Sequence, residues 1–408
     1  MKKNFLWIAA AATVMASCAQ FDTYREISQE NDSAISFTSY ASVQTKAADN
    51  NKDATTLWDL ENHHTSFSVW AWKYGDYDNA TPANNPIWSP VWNRGTGNVA
   101  TGTVSYSNSA WAASPLRFWD KSAVKYYFYA AAPANQNWIL AGDGAANTYY
   151  LTLANFTLAG TNIESTSLET SFSSVADVDL MIAENNEVAR SAYNKAAPDE
   201  VNEKFDHILS RLNVSVALKA GGTLAALNAD QDNTNDVVVK VTNFAITGVN
   251  LNNKGSFNEN AQLTGNLEDG TIERWSNLSI NNEPYNLGGF DISSTALTTT
   301  ATYISQYLII PQEITSEVLD RKEPKLASDG TTAASHPYFI IAYTINDEPF
   351  YAYYNLANAF GVAAGSKLAF NEGWANTLNI KIDADAIVFD PQVYQWTDAI
   401  NHDITEVD

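Results

Sequence analysis

The chain has 408 residues, 46 of them acidic and 23 basic, for a formal net charge of −23. An acid excess of that size repels phosphate and excludes nucleic-acid binding by bulk electrostatics. Aromatic residues at 12% exclude a disordered acidic tail, and a single Cys excludes a disulfide framework or a Cys-rich metal site.

The chain opens with a short basic segment, Lys2 and Lys3, followed by an apolar run from Phe5 to Val14. That run is well short of the roughly 20 residues a membrane span needs, and it has the length of a secretory core. It ends in Met15-Ala16-Ser17-Cys18, small residues before a cysteine as in a lipoprotein signal. Residues 1–17 are therefore expected to be a signal peptide, with lipid on Cys18.

Ile35 and Phe37 alternate with polar residues through Tyr40, the pattern of a half-buried strand. A small, polar stretch from Ala41 to Asn51 follows, with one basic site at Thr45-Lys46-Ala47. Such a stretch is the kind proteases cut. From about residue 66, short aromatic or β-branched runs are separated by Gly, Pro, Asn and Asp. The clearest are Phe67–Trp72, Tyr126–Ala130 and Tyr149–Leu153, then Leu212–Leu218, Val237–Val241, Phe244–Ile246, Tyr307–Ile310, Tyr338–Tyr343 and Leu378–Ile382. In the run from Leu212 to Leu218, Leu212, Val214, Val216 and Leu218 share one face. Short helical turns are expected within Glu200–Arg211 and Leu356–Ala364, and the polar segment from Asn185 to Asp199 reads as a connection between domains. The fold class is all-β, with two β-sandwich domains over 47–200 and 201–408 and few short helices.

No catalytic motif emerges. The histidines His63, His64, His207, His336 and His402 form no metal-ligand spacing, and no nucleophile elbow is present. His207 reads as a hydrogen-bonding residue at a domain junction. Gly95-Thr96-Gly97-Asn98-Val99-Ala100 lacks the preceding apolar strand and following helix of a dinucleotide site and reads as a loop. Asp230–Asp236 lacks the Gly and Glu of a calcium loop and reads as a hairpin tip. No enzyme activity, metal or cofactor is expected. Eight tryptophans crowd between residues 58 and 138. Trp70 and Trp72 share a strand face and read as core. Trp88 and Trp92, set among Pro86 and Pro90, are expected in a loop as candidates for surface recognition.

An ordered set of segments resembles the fimbrillins of Bacteroidales, the subunits of type V pili. The set comprises the lipobox at Cys18, then Ile35-Ser36-Phe37 through Thr45-Lys46-Ala47, and then Trp119 with Tyr126–Pro133. It continues with Asp179–Ala183 leading to Phe205–Leu212, then Leu308–Gln312, and closes with Trp374, Leu378–Ile382, Ile387-Val388-Phe389 and Val393–Trp396. The resemblance implies two transthyretin-like β-sandwiches and a lipoprotein precursor carried to the outer membrane. It also implies cleavage by a trypsin-like protease, a gingipain in oral members, after a basic residue. Lys46 matches that position, where many members have Arg. Residues 18–46 would then be a propeptide including the first strand, and the mature subunit would begin at Ala47. Loss of that strand, expected at a sheet edge, would leave a groove for a strand of another subunit. The expected donor is the C-terminal tail, with Val393, Trp396, Ile400, Ile404 and Val407 as candidate plugs. The expected partners are other pilus subunits, the outer membrane through the precursor's lipid, and a surface ligand; the expected place is the cell surface. The retained Lys46 favours a stalk or tip role over an anchor. The competing expectation is a glycan-binding surface lipoprotein whose exposed tryptophans stack on sugars.

Overall fold

The computed structural model describes residues 33–41, 66–75, 88–107, 110–142, 148–158, 178–229, 236–247, 251–261, 274–280, 287–288, 296–316, 336–384 and 387–395. The protein is all-β. The first strands are β1 (Phe37–Ala41), β2 (Ser66–Tyr74), β3 (Trp88–Trp92), β4 (Gly102–Ser107), β5 (Ala110–Ser114) and β6 (Lys125–Ala132). Then come β7 (Trp138–Ala141), β8 (Tyr150–Thr157), β9 (Met181–Ala189) and β10 (Val201–His207). Strands β1, β2, β3, β4, β5, β6, β9 and β10 form one sheet in the order β3-β2-β4-β5-β1-β10-β9-β6, and β2 also pairs with β6. The order therefore closes into a ring, with β3 as an extra strand on β2.

The ring explains the unbroken apolar runs in β2 and β6. Phe67, Val69 and Ala71 of β2, with Phe128, Ala130 and Ala132 of β6, enter one core cluster together with Ile35, Phe37 and Phe205. Trp70 and Trp72 of β2, with Tyr129 and Ala131 of β6, enter a second cluster on the opposite face. A strand buried on both faces has no polar side to alternate.

The later strands are β11 (Ser210–Leu218), β12 (Val239–Thr247), β13 (Lys254–Asn258), β14 (Trp275–Ser279), β15 (Leu287–Gly288) and β16 (Thr302–Ile309). They are followed by β17 (Gln312–Thr315), β18 (Tyr338–Ile345), β19 (Glu348–Asn355), β20 (Lys367–Phe370), β21 (Trp374–Ile382) and β22 (Ile387–Gln395). Four-stranded sheets β16-β11-β21-β22 and β15-β12-β18-β19 send their inward residues into the second cluster. Leu212, Val214, Val216 and Leu218 are all buried there. On the other face of β11, the Asn213 Nδ2 donates to Thr377 Oγ1 at 3.3 Å and the Ser215 hydroxyl donates to Asn379 Oδ1 at 2.5 Å, along the parallel register of β11 and β21.

Three expectations need correction. Residues 201–207 form a strand and not a helical turn, paired with both β1 and β9. A boundary at 200/201 therefore cuts the ring sheet, and a second crossing comes from β13, which pairs with β8 in the sheet β14-β13-β8-β7. The segment from Asn185 to Asp199 is no linker either. It finishes β9 and forms a helical turn, Arg190–Tyr193, that plants Tyr193 in the core. Tyr193 stacks on Trp119 at 4.8 Å and 7°, and its hydroxyl donates to the Ala123 carbonyl at 2.7 Å. The helical turn within Leu356–Ala364 is present as Leu356–Ala359, capped by the Asn355 side chain.

Candidate assembly site around the first strand

The candidate site is the slot that β1 fills. β1 runs parallel to β10 over five register pairs, from Phe37↔Val201 to Ala41↔Phe205, and meets β5 through Phe37↔Trp111. The residues just before it are stitched to the chain after β5. The Ile35 N–H donates to the Arg117 carbonyl at 2.9 Å, the Trp119 N–H donates to the Ser33 carbonyl at 3.1 Å, and Ala34 bridges Phe118. On the other side, the Val201 N–H donates to the Ser36 carbonyl at 2.8 Å. The first strand is thus interior to the ring and not at an edge. Its loss would leave β10 with an unpaired backbone row and β5 without its partner at Trp111.

Side chains fix this strand as firmly as its backbone does. Ile35 and Phe37 are each 2% exposed. The Phe37 ring lies 5.9 Å from Phe67 and 5.7 Å from Trp92, a cluster of rings from three strands. Burying two such side chains stabilises the strand by roughly 3–6 kcal/mol.

On β10 the inward residues are Val201, Glu203, Phe205 and His207, all buried, whereas Asn202 and Lys204 are exposed. Glu203 is 0% exposed, and neither of its oxygens has a hydrogen-bond partner. Burial pushes its carboxyl up to about 8, against a smaller lowering by the nearby Asn186 amide. The sequence reading did not single out Glu203; its signal was a carboxylate at an apolar position of a period-2 run. At the end of β10, His207 Nδ1 pairs with Asp179 Oδ2 at 2.7 Å.

The candidate donor end is only partly described. Val393 lies in β22, opposite Asn376 of β21, on the edge of its own sheet. Trp396, Ile400, Ile404 and Val407 lie outside the described residues, as do Cys18, Lys46 and Ala47.

The expectation for Trp88 and Trp92 is corrected. Trp88 and Trp92 begin and end β3, so they are not in a loop. Trp92 is 0% exposed, and its indole N–H donates to the Pro115 carbonyl at 2.9 Å, which makes it a core residue without a surface to offer. The backbone of Trp88 pairs with Tyr74. Trp70 and Trp72 are core residues, as their shared face indicated. Residues 95–100 form a tight turn closed by an Arg94↔Ala100 bridge. Among the described residues, no group of three or more His, Cys, Asp or Glu is placed to hold a metal.

The family model described as fimbrillin-like matches residues 45–396. The chain belongs to the fimbrillin-like family. The match begins just before Lys46, so β1 lies outside it. Among solved structures, this fimbrillin-like chain is similar to a fimbrial protein from Bacteroides vulgatus, with 15% identity over 90% of this chain and 100% of that one and a TM-score of 0.41. It is also similar to candidate cell adhesion proteins from Bacteroides uniformis (12% identity, 89% and 99% coverage, TM-score 0.39) and Bacteroides ovatus (13% identity, 89% and 97% coverage, TM-score 0.39). A search of curated proteins gave no match. Fimbrillin-like proteins are a fimbrial and adhesive kind, not an enzyme family.

Proposed function

We propose that this protein is a subunit of a cell-surface type V pilus, exported as a lipoprotein on Cys18, cut after Lys46 and assembled by strand exchange. The observation that carries the reading is the position of β1. A segment that ends five residues before Lys46 fills the interior of the ring sheet and is anchored there by Ile35 and Phe37. Cleavage at Lys46 separates that segment covalently from the body that begins at Ala47. Its departure opens the ring between β5 and β10 and frees an apolar slot of strand shape. A strand from another subunit restores the hydrogen bonds and the buried side chains together, by β-augmentation. Because donor and slot lie on different parts of the chain, the contact is head-to-tail and builds a filament.

The donor is the C-terminal tail, with Trp396, Ile400, Ile404 and Val407 as the plugs and Val393, already paired with Asn376, as the junction. Retention of Lys46 favours a stalk or tip subunit over an anchor. The glycan-binding alternative is weakened by the burial of Trp92.

Mass spectrometry and N-terminal sequencing of the surface protein test this reading. A pilus subunit yields a lipidated precursor and a mature chain that starts at Ala47 and runs as SDS-resistant ladders. An intact, strictly monomeric chain that binds a defined glycan would replace it with the alternative.

A further inference from the structure

Two buried polar groups flank β1, one on each side, and neither is satisfied. On β10, Glu203 is the register partner of Ser39; it is fully buried, and both of its oxygens lack a partner. On β5, Trp111 is the register partner of Phe37, and its indole N–H is buried without an acceptor. Native interiors pair such groups, because an unmet donor or acceptor in a low-dielectric core is costly. Here the unmet groups sit on the two strands that β1 separates.

Among the described residues, the surroundings of Glu203 offer it only the weak influence of the Asn186 amide. β5 reads Ala110-Trp111-Ala112-Ala113-Ser114 and brings no ionisable group. The inward titratable neighbour on β10, His207, is taken by Asp179 at 2.7 Å. The Asn186 amide on β9 donates one N–H to the Asn202 carbonyl at 2.9 Å, and its second N–H is near enough to Glu203 to hold that carboxyl a little lower without a close hydrogen bond to either oxygen. Lys204 and Asn202 are on the exposed face of β10. A close partner can come from the strand in the slot, whose register places residue 39 opposite Glu203.

We infer that Glu203 is a selectivity residue of the slot: the strand that replaces β1 carries an amide or ammonium side chain at the register of Ser39 and satisfies the carboxyl that β1 leaves unmet. The inference rests on the proposal that β1 is exchanged for a foreign strand. The resident segment supplies the apolar anchors Ile35 and Phe37 but no hydrogen bond to Glu203. It is therefore a stable occupant that a better-matched strand can displace. A strand with a donor at this register gains a hydrogen bond to the carboxyl in a dry site, charge-assisted where the donor is an ammonium, whereas one with an apolar residue there buries the carboxyl unmet. Discrimination then comes as much from the penalty on wrong strands as from the bond to the right one.

The test uses the full chain nicked with trypsin, after which the protease is inhibited. Fluorescent peptides of sequence 33–41, with Ser, Ala, Gln or Lys at the Ser39 position, are titrated by anisotropy into wild type, Glu203→Gln and Glu203→Val. The wild-type slot is expected to take the Gln or Lys peptide at least tenfold more tightly than the Ala peptide. On Glu203→Val the preference should fall below threefold. Glu203→Gln, nearly the same shape, should keep the preference for Gln and lose that for Lys. Peptides that enter with equal affinity whatever stands at position 39 would overturn the selectivity and leave strand exchange intact. Peptides that enter no variant would count against strand exchange itself, and this inference would go with it.

Discussion

Phe37 of β1 meets Phe128 of β6 edge to face, with ring centroids 6.0 Å apart and planes at 84°. A residue on the N-terminal side of Lys46 is thus part of the core of the body on its C-terminal side. The body gains stability from a segment that the proposed maturation removes. Phe37→Ala is expected to cost about 3–5 kcal/mol, since it leaves a cavity among Phe67, Trp92 and Phe128. Denaturant unfolding of the uncut chain measures this. Thr38→Ala, on the other face of the same strand, is the control and should cost less than about 1 kcal/mol. Equal effects of the two changes would mean that β1 is not seated as described.

Glu203 gives the uncut chain a specific pH dependence. Its carboxyl is raised by burial from 4.5 to about 8 in the folded protein, against a smaller lowering by Asn186. Between those two values the folded state holds a proton that the unfolded state has released. Stability therefore falls as pH rises from about 4.5 to about 8 and levels off above that. At about 1.4 kcal/mol per pKa unit, the full span corresponds to about 5 kcal/mol at most. Glu203→Gln removes this slope. The check is the difference in unfolding free energy between wild type and Glu203→Gln at pH 5, 6.5 and 8. The difference should move steadily in favour of the variant as pH rises, and a constant difference would show that the carboxyl does not titrate in this range.

The parts of the fold that the sequence revealed are those where one physical signal dominated. Leu212, Val214, Val216 and Leu218 alternate cleanly because the other face of β11 carries Asn213 and Ser215, which hydrogen-bond to β21. The aromatic runs of β2 and β6 were recognisable as strands, but that both of their faces are buried depends on which strands close the ring. β10 was misread because Glu203 interrupts an otherwise regular inward series of Val201, Phe205 and His207. The residue that hid the strand is the one that makes its slot chemically distinctive. Tyr193 was lost among polar neighbours, a single aromatic signal in a run that looks like a linker. Pro90 suggested a loop, but β3 is at the end of the sheet order, where a missing N–H is tolerated. The interior placement of β1 was out of reach, since the sequence shows the strand but not its two neighbours.

Tyr193 ties the turn after β9 to the core through one hydroxyl. Its bond to the Ala123 carbonyl is buried and 2.7 Å long, and burial pushes the phenol well above its ordinary range, so the group stays a neutral donor. Tyr193→Phe keeps the stack on Trp119 but leaves that carbonyl unmet, at a cost of about 1–3 kcal/mol. Tyr193→Ala loses the stack as well and should cost about 3–5 kcal/mol. Thermal unfolding of the two variants separates the contributions. If Tyr193→Phe matched wild type, the Ala123 carbonyl would be finding water in place of the hydroxyl.

Gly102, at the start of β4, lies against the indole of Trp92. A Cβ placed there would come within 2.5 Å of Trp92 Cδ1 and 2.8 Å of Val69 Cγ1. Both neighbours are fully buried, so neither can swing into solvent. Gly102→Ala is expected to cost about 1–3 kcal/mol through overpacking, and Trp92→Ala about 3–5 kcal/mol through the cavity it leaves. The double variant should be less destabilised than the sum of the two, because the alanine at 102 fills part of the space the indole vacates. Denaturant unfolding of the two single variants and the double variant measures this coupling. It also separates the two roles considered for Trp92. A core residue changes stability and couples to Gly102, whereas a surface recognition residue would leave stability near wild type and show no coupling.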